Sequence, residues 1–302
     1  MSDSPIASTL LSHETFDDIF TEIDHGRSLN LLNPNELRIF HLDMLNNEFN
    51  FSPLSEFLEE NIGSYVFSRV KIDNLYAAKK ERSINSRAWK EMNSLTTNNL
   101  SEMLLYVFLE HVLQAPKLLS KVELATSGRV SNSDSVHLKT LEDSNGTYYQ
   151  MVFGVSHIIG DLRDAIDTAY KAIRDINASQ QEEIQLVDKT VLGQSFDDET
   201  TQKIKEILIP SKNNSSNLEN AFGIFLGYSL GLNTASRPTR QFNIDAEAKM
   251  KADITAHVDY IVDAINNSGL SNYSFYIYVM PFNNASIDSE DIMNEILPRR
   301  TN

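Results

Sequence analysis

The chain has 302 residues, of which 41% are hydrophobic and 23% charged, so it can bury a sizeable core and has a globular composition. It has no cysteine, which excludes disulfide bridges, thiolate metal sites and a cysteine nucleophile. Its formal net charge of −16 repels nucleic acid on average, so action on DNA needs a local basic patch, a divalent metal or a basic partner. No signal peptide or membrane span is predicted, and we expect a cytoplasmic protein.

The first part of the chain, residues 1–94, is predicted to form an N-terminal α+β subdomain that is rich in helices. Asn33 and Pro34 resemble an N-cap and a first helical residue, so a helix is expected to follow them. The expected helices cover residues 16–23, 35–46 and 55–61. Apolar residues alternate in residues 65–72, which predicts a strand, and a polar stretch at residues 93–99 is the expected boundary.

Basic residues are concentrated near the end of this first part. They are Lys79, Lys80, Arg82, Arg87 and Lys90, with Trp89 among them. Such a run is usually a solvated helix face, and the alternative is a contact with DNA. The solvated face is the favoured interpretation, and the DNA contact stays open.

The second part, residues 95–302, is predicted to be an α/β core in which helices flank a mixed sheet. The expected helices cover residues 100–113, 161–177, 200–208, 246–266 and 287–297. The expected strands cover residues 117–124, 135–141, 148–159, 221–230 and 273–281. The first of these helices is apolar almost all round, which is typical of a helix buried on most sides.

Glu110 is the first candidate for chemistry, because it lies inside the apolar helix expected at residues 100–113. A buried carboxylate is unfavourable unless it is paired or binds a metal. The alternative is a structural role, either in a salt bridge to Lys117 or Lys121 or at an exposed helix end, and the sequence does not decide between the structural and the functional interpretation.

Asp134 and His157 are the other candidates. Asp134 opens the second expected strand after a loop rich in serine and asparagine, where an aspartate is usually a turn residue. His157 lies late in the third strand, where a histidine binds a metal, transfers protons or forms a hydrogen bond in the core. His137 is interpreted as a surface or core histidine, and Asp161 as an acid at a helix N-terminus.

Familiar catalytic and phosphate-binding motifs are missing from the sequence. It contains no GxxxxGKS/T loop, no GxGxxG, no HExxH and no GxSxG. Ser156 and His157 are neighbours, but adjacent residues of a strand face opposite sides of the sheet, so we do not expect them to form a dyad.

Several short stretches, taken together and in this order, resemble the HamA family, the nuclease-like subunit of Hachiman anti-phage defence systems. They are EMLLYVFLEHVLQAPKLLSKVEL from Glu102, SDSVHL from Ser133, VFGVSH from Val152, GIFLGY from Gly223 and FYIYVMPF from Phe275. The resemblance is scattered over residues 54–297 and dense between residues 100 and 169. Several short blocks in the right order are more specific than any one motif.

The resemblance implies a PD-(D/E)xK nuclease-like fold, in which acidic side chains hold one or two divalent metals and a lysine positions the attacking water. Carried over by position, Glu110 would be the helix acid and Asp134 the strand acid, and both would bind Mg²⁺ or Mn²⁺ in catalysis. The family's Glu-x-Lys on the third strand is replaced here by Val155, Ser156 and His157.

This replacement leaves two functions open. Val155 cannot bind a metal, so Mg²⁺ binding should weaken and cleavage could be lost. Alternatively His157 is a ligand or general base, or Glu123 or Asp161 supplies the missing carboxylate. The chain is then either a metal-dependent deoxyribonuclease or a nuclease-fold subunit that regulates or clamps its partner without cleavage.

The resemblance also implies a partner. That partner is a superfamily-two, ATP-driven helicase (HamB-like), and the charge of −16 fits an arrangement in which the helicase holds the DNA. A less specific alternative is an unrelated metal-binding or nucleotide-binding domain whose motif matches are coincidental.

Overall fold

The computed structural model describes residues 6–10, 13–92, 99–126, 128, 130–144, 146–187, 196–208, 218–232 and 238–296. The helices are α1 His13–Ile19, α2 Ser52–Val66, α3 Arg69–Ala77, α4 Ile84–Met92, α5 Asn99–His111, α6 Lys121–Thr126, α7 Leu162–Ala178, α8 Gln180–Leu186, α9 Asp198–Leu208, α10 Thr239–Asn267 and α11 Ala285–Ile296. A 3₁₀ turn covers Glu81–Ser83. The strands are β1 Phe20–Arg27, β2 Asn35–Leu42, β3 Met44–Leu45, β4 Glu48–Phe49, β5 Lys117–Ser120, β6 Ser135–Asp143, β7 Gly146–Ile158, β8 Leu218–Ser229 and β9 Ser274–Phe282.

A seven-stranded mixed sheet forms the centre of the fold, in the order β1-β2-β9-β8-β7-β6-β5. The pairs β2–β9, β9–β8 and β8–β7 are parallel, whereas β1–β2, β7–β6 and β6–β5 are antiparallel. The mixed α/β fold is therefore confirmed. The sheet contains strands from both sides of residue 94, and the division into two domains stays a prediction.

Helices α5 and α7 cover opposite faces of the sheet. Phe108 of α5 stacks on Phe225 and Tyr278, while Tyr170 of α7 contacts Phe275 on the other face. Two glycines let α5 lie close to the strands. A Cβ at Gly154 would come within 2.7 Å of Leu105 Cδ2, and one at Gly223 within 2.6 Å of Leu109 Cδ2. All nine residues of β9 are buried, as expected for a strand covered on both sides.

The predicted elements of the second part are largely confirmed. The four strands expected from residue 135 onward are β6 to β9, and the expected helices correspond to α5, α7, α9, α10 and α11. Asp161 caps α7 by accepting hydrogen bonds from the backbone N–H groups of Arg163 and Asp164, at 2.8 and 3.1 Å. The sequence also predicts a polar loop at residues 211–217, which lie outside the described residues. Among the described residues, no helix has both the length and the apolar composition that a bilayer crossing requires.

The helix predicted at residues 35–46 is wrong, because residues 35–42 form strand β2 beside β9. Leu37 and Ile39 are fully buried, whereas Arg38 between them pairs with Glu22 of β1. That alternation has the period of a strand, and the Asn33 side chain donates to the Asn272 carbonyl instead of capping a helix.

Two further boundaries differ from the prediction, and one further predicted element, the strand at residues 65–72, is wrong. The helix expected at residues 16–23 ends at Ile19 and continues as β1, and the strand expected at residues 65–72 is the end of α2 and the start of α3. Ser68 caps α3 by accepting from Lys71 N at 3.3 Å. The strand expected at residues 117–124 stops at Ser120, because Ser120 and Glu123 form a capping box that starts α6. The 55–61 helix is confirmed within α2, and residues 93–98 of the polar break lie outside the described residues.

Candidate functional site

Two buried carboxylates and one ammonium meet where α5, α6 and the start of β6 come together. Lys121 Nζ lies 2.9 Å from Asp134 Oδ1 and 3.3 Å from Glu102 Oε1. Glu102 is 4% exposed and Asp134 8%, while the Lys121 side chain keeps 33% of its surface in contact with solvent. The two acids thus converge on a single cation position, which is filled by the lysine. We refer to Glu102, Asp134 and Lys121 as the acid–lysine cluster.

Neighbouring side chains hold both acids in place. Asp134 Oδ2 accepts from both the backbone N–H and the hydroxyl of Ser156, each at 2.7 Å. The Asp134 backbone N–H donates to the Gly154 carbonyl at 2.8 Å. Glu102 Oε2 accepts from the Tyr65 hydroxyl at 2.8 Å, and Ser101 Oγ lies 3.1 Å from Ser156 Oγ. These contacts fix the orientation of the carboxylates, as an ion-binding site requires.

Burial and the neighbouring Asp134 charge raise the pKa of Glu102 to about 7, although Lys121 and Tyr65 act in the opposite direction. Burial alone would lower the pKa of Lys121, but the attraction of Asp134 and Glu102 outweighs it and raises that pKa. Lys121 therefore stays protonated at neutral pH, whereas Glu102 exchanges its proton close to pH 7.

This titration predicts that the free energy of unfolding falls as the pH rises through neutrality. The pKa of Glu102 rises from 4.5 to about 7 on folding, so its stabilisation is fully present below pH 4.5 and is lost as pH rises through about 7. The loss is at most about 3.5 kcal/mol, because one pKa unit corresponds to about 1.4 kcal/mol. Urea unfolding of the unchanged chain and Glu102→Gln between pH 5 and 8 measures it. Parallel curves for the two proteins would contradict the titration of Glu102.

His157 lies beside this cluster but on the other face of β7. Ser156 contacts Ser101 of α5, so strand alternation puts Val155 and His157 on the face that α7 covers. The ring is half-buried, and its Nε2 has no hydrogen-bond partner among the described residues. Burial lowers the pKa of His157, and the nearby Asp134 charge opposes this shift only in part. The imidazole of His157 is therefore neutral at neutral pH. The Ser156 hydroxyl donates to Asp134 and not to this ring.

The structure does not bring Glu110 to Asp134. Glu110 Oε2 accepts from Ser8 Oγ at 2.5 Å and from Thr9 N at 3.0 Å. Its Oε1 accepts from Thr9 Oγ1 and from the backbone N–H of Lys117, both at 2.7 Å. Both oxygens are thus occupied in attaching residues 6–10 and the start of β5 to the end of α5. The acid of α5 that lies beside Asp134 is Glu102.

The two acids considered as replacements for the missing carboxylate also have other contacts. Glu123 accepts from Ser120 N at 2.8 Å and pairs with Lys117 Nζ at 3.2 Å, and Asp161 caps α7. Within the described residues, no group of three or more histidine, aspartate or glutamate side chains could hold a metal ion. The acid–lysine cluster offers two carboxylates, which is the number with which Mg²⁺ is often bound when water and substrate phosphates complete its shell.

Another buried carboxylate, Glu183 of α8, holds the loop that leads into Asp134. It is 3% exposed and accepts from Ser131 Oγ at 2.6 Å, Ser133 Oγ at 2.7 Å and Asn132 N at 2.8 Å. These three bonds fix the residues immediately before Asp134 and so position its side chain. Nothing in the sequence pattern indicated this role, because the contact spans about 50 residues.

The protein is thus of the mixed α/β class, and its buried acid–lysine cluster lies where helix α5 meets one edge of the central sheet. The chain matches the model of the HamA family over residues 15–296, nearly its whole length, and it belongs to that family. Membership implies a role in Hachiman anti-phage defence. A search of curated proteins finds no significant match.

Proposed function

We propose that this chain is the latent, metal-dependent deoxyribonuclease subunit of a Hachiman defence complex and acts with a partner helicase. The observation that supports the proposal is the Lys121 ammonium between the carboxylates of Glu102 and Asp134. A helix acid, an acid at the start of a strand and a lysine are the groups on which PD-(D/E)xK nucleases depend. In this proposal Glu102 takes the place that the resemblance gave to Glu110.

The residues of the acid–lysine cluster fit a divalent cation, because two fixed carboxylate oxygens already lie around one ammonium. Glu102 and Asp134 would hold Mg²⁺ or Mn²⁺, and such an ion lowers the pKa of water and polarises a phosphoryl oxygen. Ser156 keeps Asp134 oriented through its N–H and hydroxyl. Lys121 is partly exposed on a long side chain, so it can leave the carboxylates and act on the attacking water.

Latency follows from the same contacts. While the ammonium lies between the two acids, it occupies the cation position and both carboxylates stay shielded from solvent. The charge of −16 further weakens the association of the free chain with DNA. A helicase that delivers DNA to the site, and whose binding shifts Lys121, would relieve both obstacles.

The matched acids of α5 provide the test, because Glu102→Gln and Glu110→Gln remove the same charge from the same helix. We expect plasmid cleavage by the chain with its helicase to require Mg²⁺ or Mn²⁺ and to stop in EDTA. It should fall by about a hundredfold or more in Glu102→Gln. Glu110→Gln should cleave normally but unfold more readily, since the partly buried bonds to Ser8 and Thr9 weaken. Cleavage that depends on Glu110 and not on Glu102 would overturn the assignment.

A second function, clamping of the helicase on DNA without cleavage, has its own supporting observation. Val155 supplies no carboxylate, and the described residues contain no third acid close enough to complete a three-acid metal group. This alternative predicts a stable complex with the helicase and no hydrolysis with any divalent ion. A complex that cleaves in Mn²⁺ but not in EDTA would exclude it.

A further inference from the structure

The five basic residues noted in the sequence form an exposed surface in the structure, which we call the basic patch. Lys79 and Lys80 follow α3, Arg82 lies in the 3₁₀ turn, and Arg87 and Lys90 lie on α4. All five are exposed, and within the described residues none of them forms a salt bridge. The patch thus presents cations that the fold itself does not neutralise.

The charge of the basic patch is opposite to that of the rest of the chain. Residues 79–91 contain five basic and two acidic side chains, a net charge of +3, so the remainder of the chain carries −19. One of the two acids, Glu91, is engaged by Lys71 Nζ at 2.6 Å. A local positive surface on so acidic a protein selects for a polyanion that the other surfaces repel.

The backbone under the basic patch is firmly held. Ile84, Ala88, Trp89 and Met92 of α4 are buried and attach that helix to the core. Two residues after the end of α3, Lys79 adopts the left-handed region at φ 56°, and the turn is closed by a hydrogen bond from Lys80 N to the Leu75 carbonyl at 2.8 Å. The positions of the charges are therefore set by rigid elements, which reduces the entropy lost when a partner binds.

Arg87 is oriented before any partner arrives. Its Nε donates to Ser83 Oγ at 3.0 Å, and Ser83 Oγ donates to the Lys80 carbonyl at 2.8 Å. This chain of bonds uses only the Nε–H of the guanidinium. The two terminal amino groups form no hydrogen bond among the described residues and suit the paired oxygens of a phosphate.

We propose that the basic patch binds the phosphate backbone of double-stranded DNA and guides it to the acid–lysine cluster. Helix α4 packs against α6, whose first residue is Lys121, so the patch and the cluster lie on adjoining helices. Contacts of this kind position DNA without reading its sequence. This inference rests on the proposed function, because it assigns the patch to the substrate of that site.

The test measures binding of the full chain to a fluorescent 30-base-pair duplex in EDTA, where nothing is cleaved. The patch variant combines Lys80→Gln, Arg82→Gln, Arg87→Gln and Lys90→Gln. The control combines Lys171→Gln, Lys203→Gln, Arg240→Gln and Lys251→Gln, which removes the same charge from exposed residues of other helices. We expect the patch variant to bind about tenfold more weakly or worse, with a salt slope shallower by up to about 3.6, and the control to bind nearly as before.

Three results would overturn the proposal. One is equal weakening in the patch variant and the control, which would show that only net charge matters. Another is the absence of binding by the unchanged chain at low salt. The third is a patch variant that binds DNA normally but no longer co-purifies with the helicase, since the patch would then bind an acidic protein surface. Because the assay requires no hydrolysis, loss of binding in the patch variant but not in Glu102→Gln supports the patch even if cleavage is never observed.

Discussion

Under the proposed nuclease function, changing Asp134 to alanine should abolish DNA cleavage, with a fall of more than about a hundredfold, because it removes one of the two carboxylates proposed to hold the metal. The same change deprives the Ser156 N–H, the Ser156 hydroxyl and the Lys121 ammonium of their shared acceptor. Each charge-assisted bond contributes about 1.5–3 kcal/mol, so the variant should also be less stable. Plasmid cleavage in Mg²⁺ and Mn²⁺, with urea unfolding alongside, measures both effects.

The amide variant Asp134→Asn separates the chemical loss from the structural one. Its side-chain oxygen can still accept from the Ser156 N–H, so stability should lie closer to that of the unchanged chain. Its charge is gone, so metal binding and cleavage should remain lost. The pKa of Glu102 should also fall, because the negative charge of Asp134 is one cause of its rise.

A suitable control is Asp253→Ala, which removes a carboxylate that pairs with Lys249 along α10. That change should leave cleavage intact and alter stability by about 1 kcal/mol or less, because it breaks a partly exposed pair on one helix and a long hydrogen bond of 3.4 Å from the Tyr228 hydroxyl. Full cleavage by Asp134→Asn would mean that this carboxylate has no part in the reaction. The proposed nuclease function would then be wrong, and the clamping function would be favoured.

The strands and helices that the sequence predicted correctly are those whose pattern is local and repeated. In α7, the buried residues recur at helical spacing over four turns, and Asp161 marks the start. In β2, buried Leu37 and Ile39 alternate with Arg38, but residues 39–42 are all buried, so the alternation is short, and Asn33 and Pro34 suggested a helix instead. The deciding contact is the pairing of β2 with β9, across more than 230 residues of sequence, which no local pattern reveals.

The candidate site was predictable only in part. Asp134 was found because it follows a polar loop and opens a strand. Glu102 was missed because an acid in the first turn of a helix is commonplace, whereas Glu110 was conspicuous in the middle of an apolar stretch. The role of Lys121 depends on α6 beginning where it does, and the Ser120 and Glu123 capping box was the signal that could have placed that start.

Replacing Lys117 by methionine should destabilise the fold by about 3–5 kcal/mol, the range for removing one partner of a buried ion pair. Lys117 is 2% exposed, and its ammonium donates to the carbonyls of Ser64, Tyr65 and Phe67 at 2.8, 2.9 and 3.1 Å. It also lies 3.2 Å from Glu123 Oε2. The change therefore removes the cation that neutralises the buried Glu123 carboxylate and the donor to the end of α2, which should lower the urea midpoint by about 1 M or more.

A double-mutant cycle with Glu123→Gln tests this explanation. The amide can still accept from Ser120 N in the capping box, but it carries no charge that Lys117 must neutralise. The two changes together should therefore cost less than the sum of the single changes, by about 1 kcal/mol or more. The exposed Lys203→Met, which breaks only an i,i+4 pair with Glu199, should change stability by a few tenths of a kcal/mol. If Lys117→Met proved as harmless as Lys203→Met, the buried ammonium would have no role in holding α2 to β5, and the position of Tyr65 beside Glu102 would need another cause.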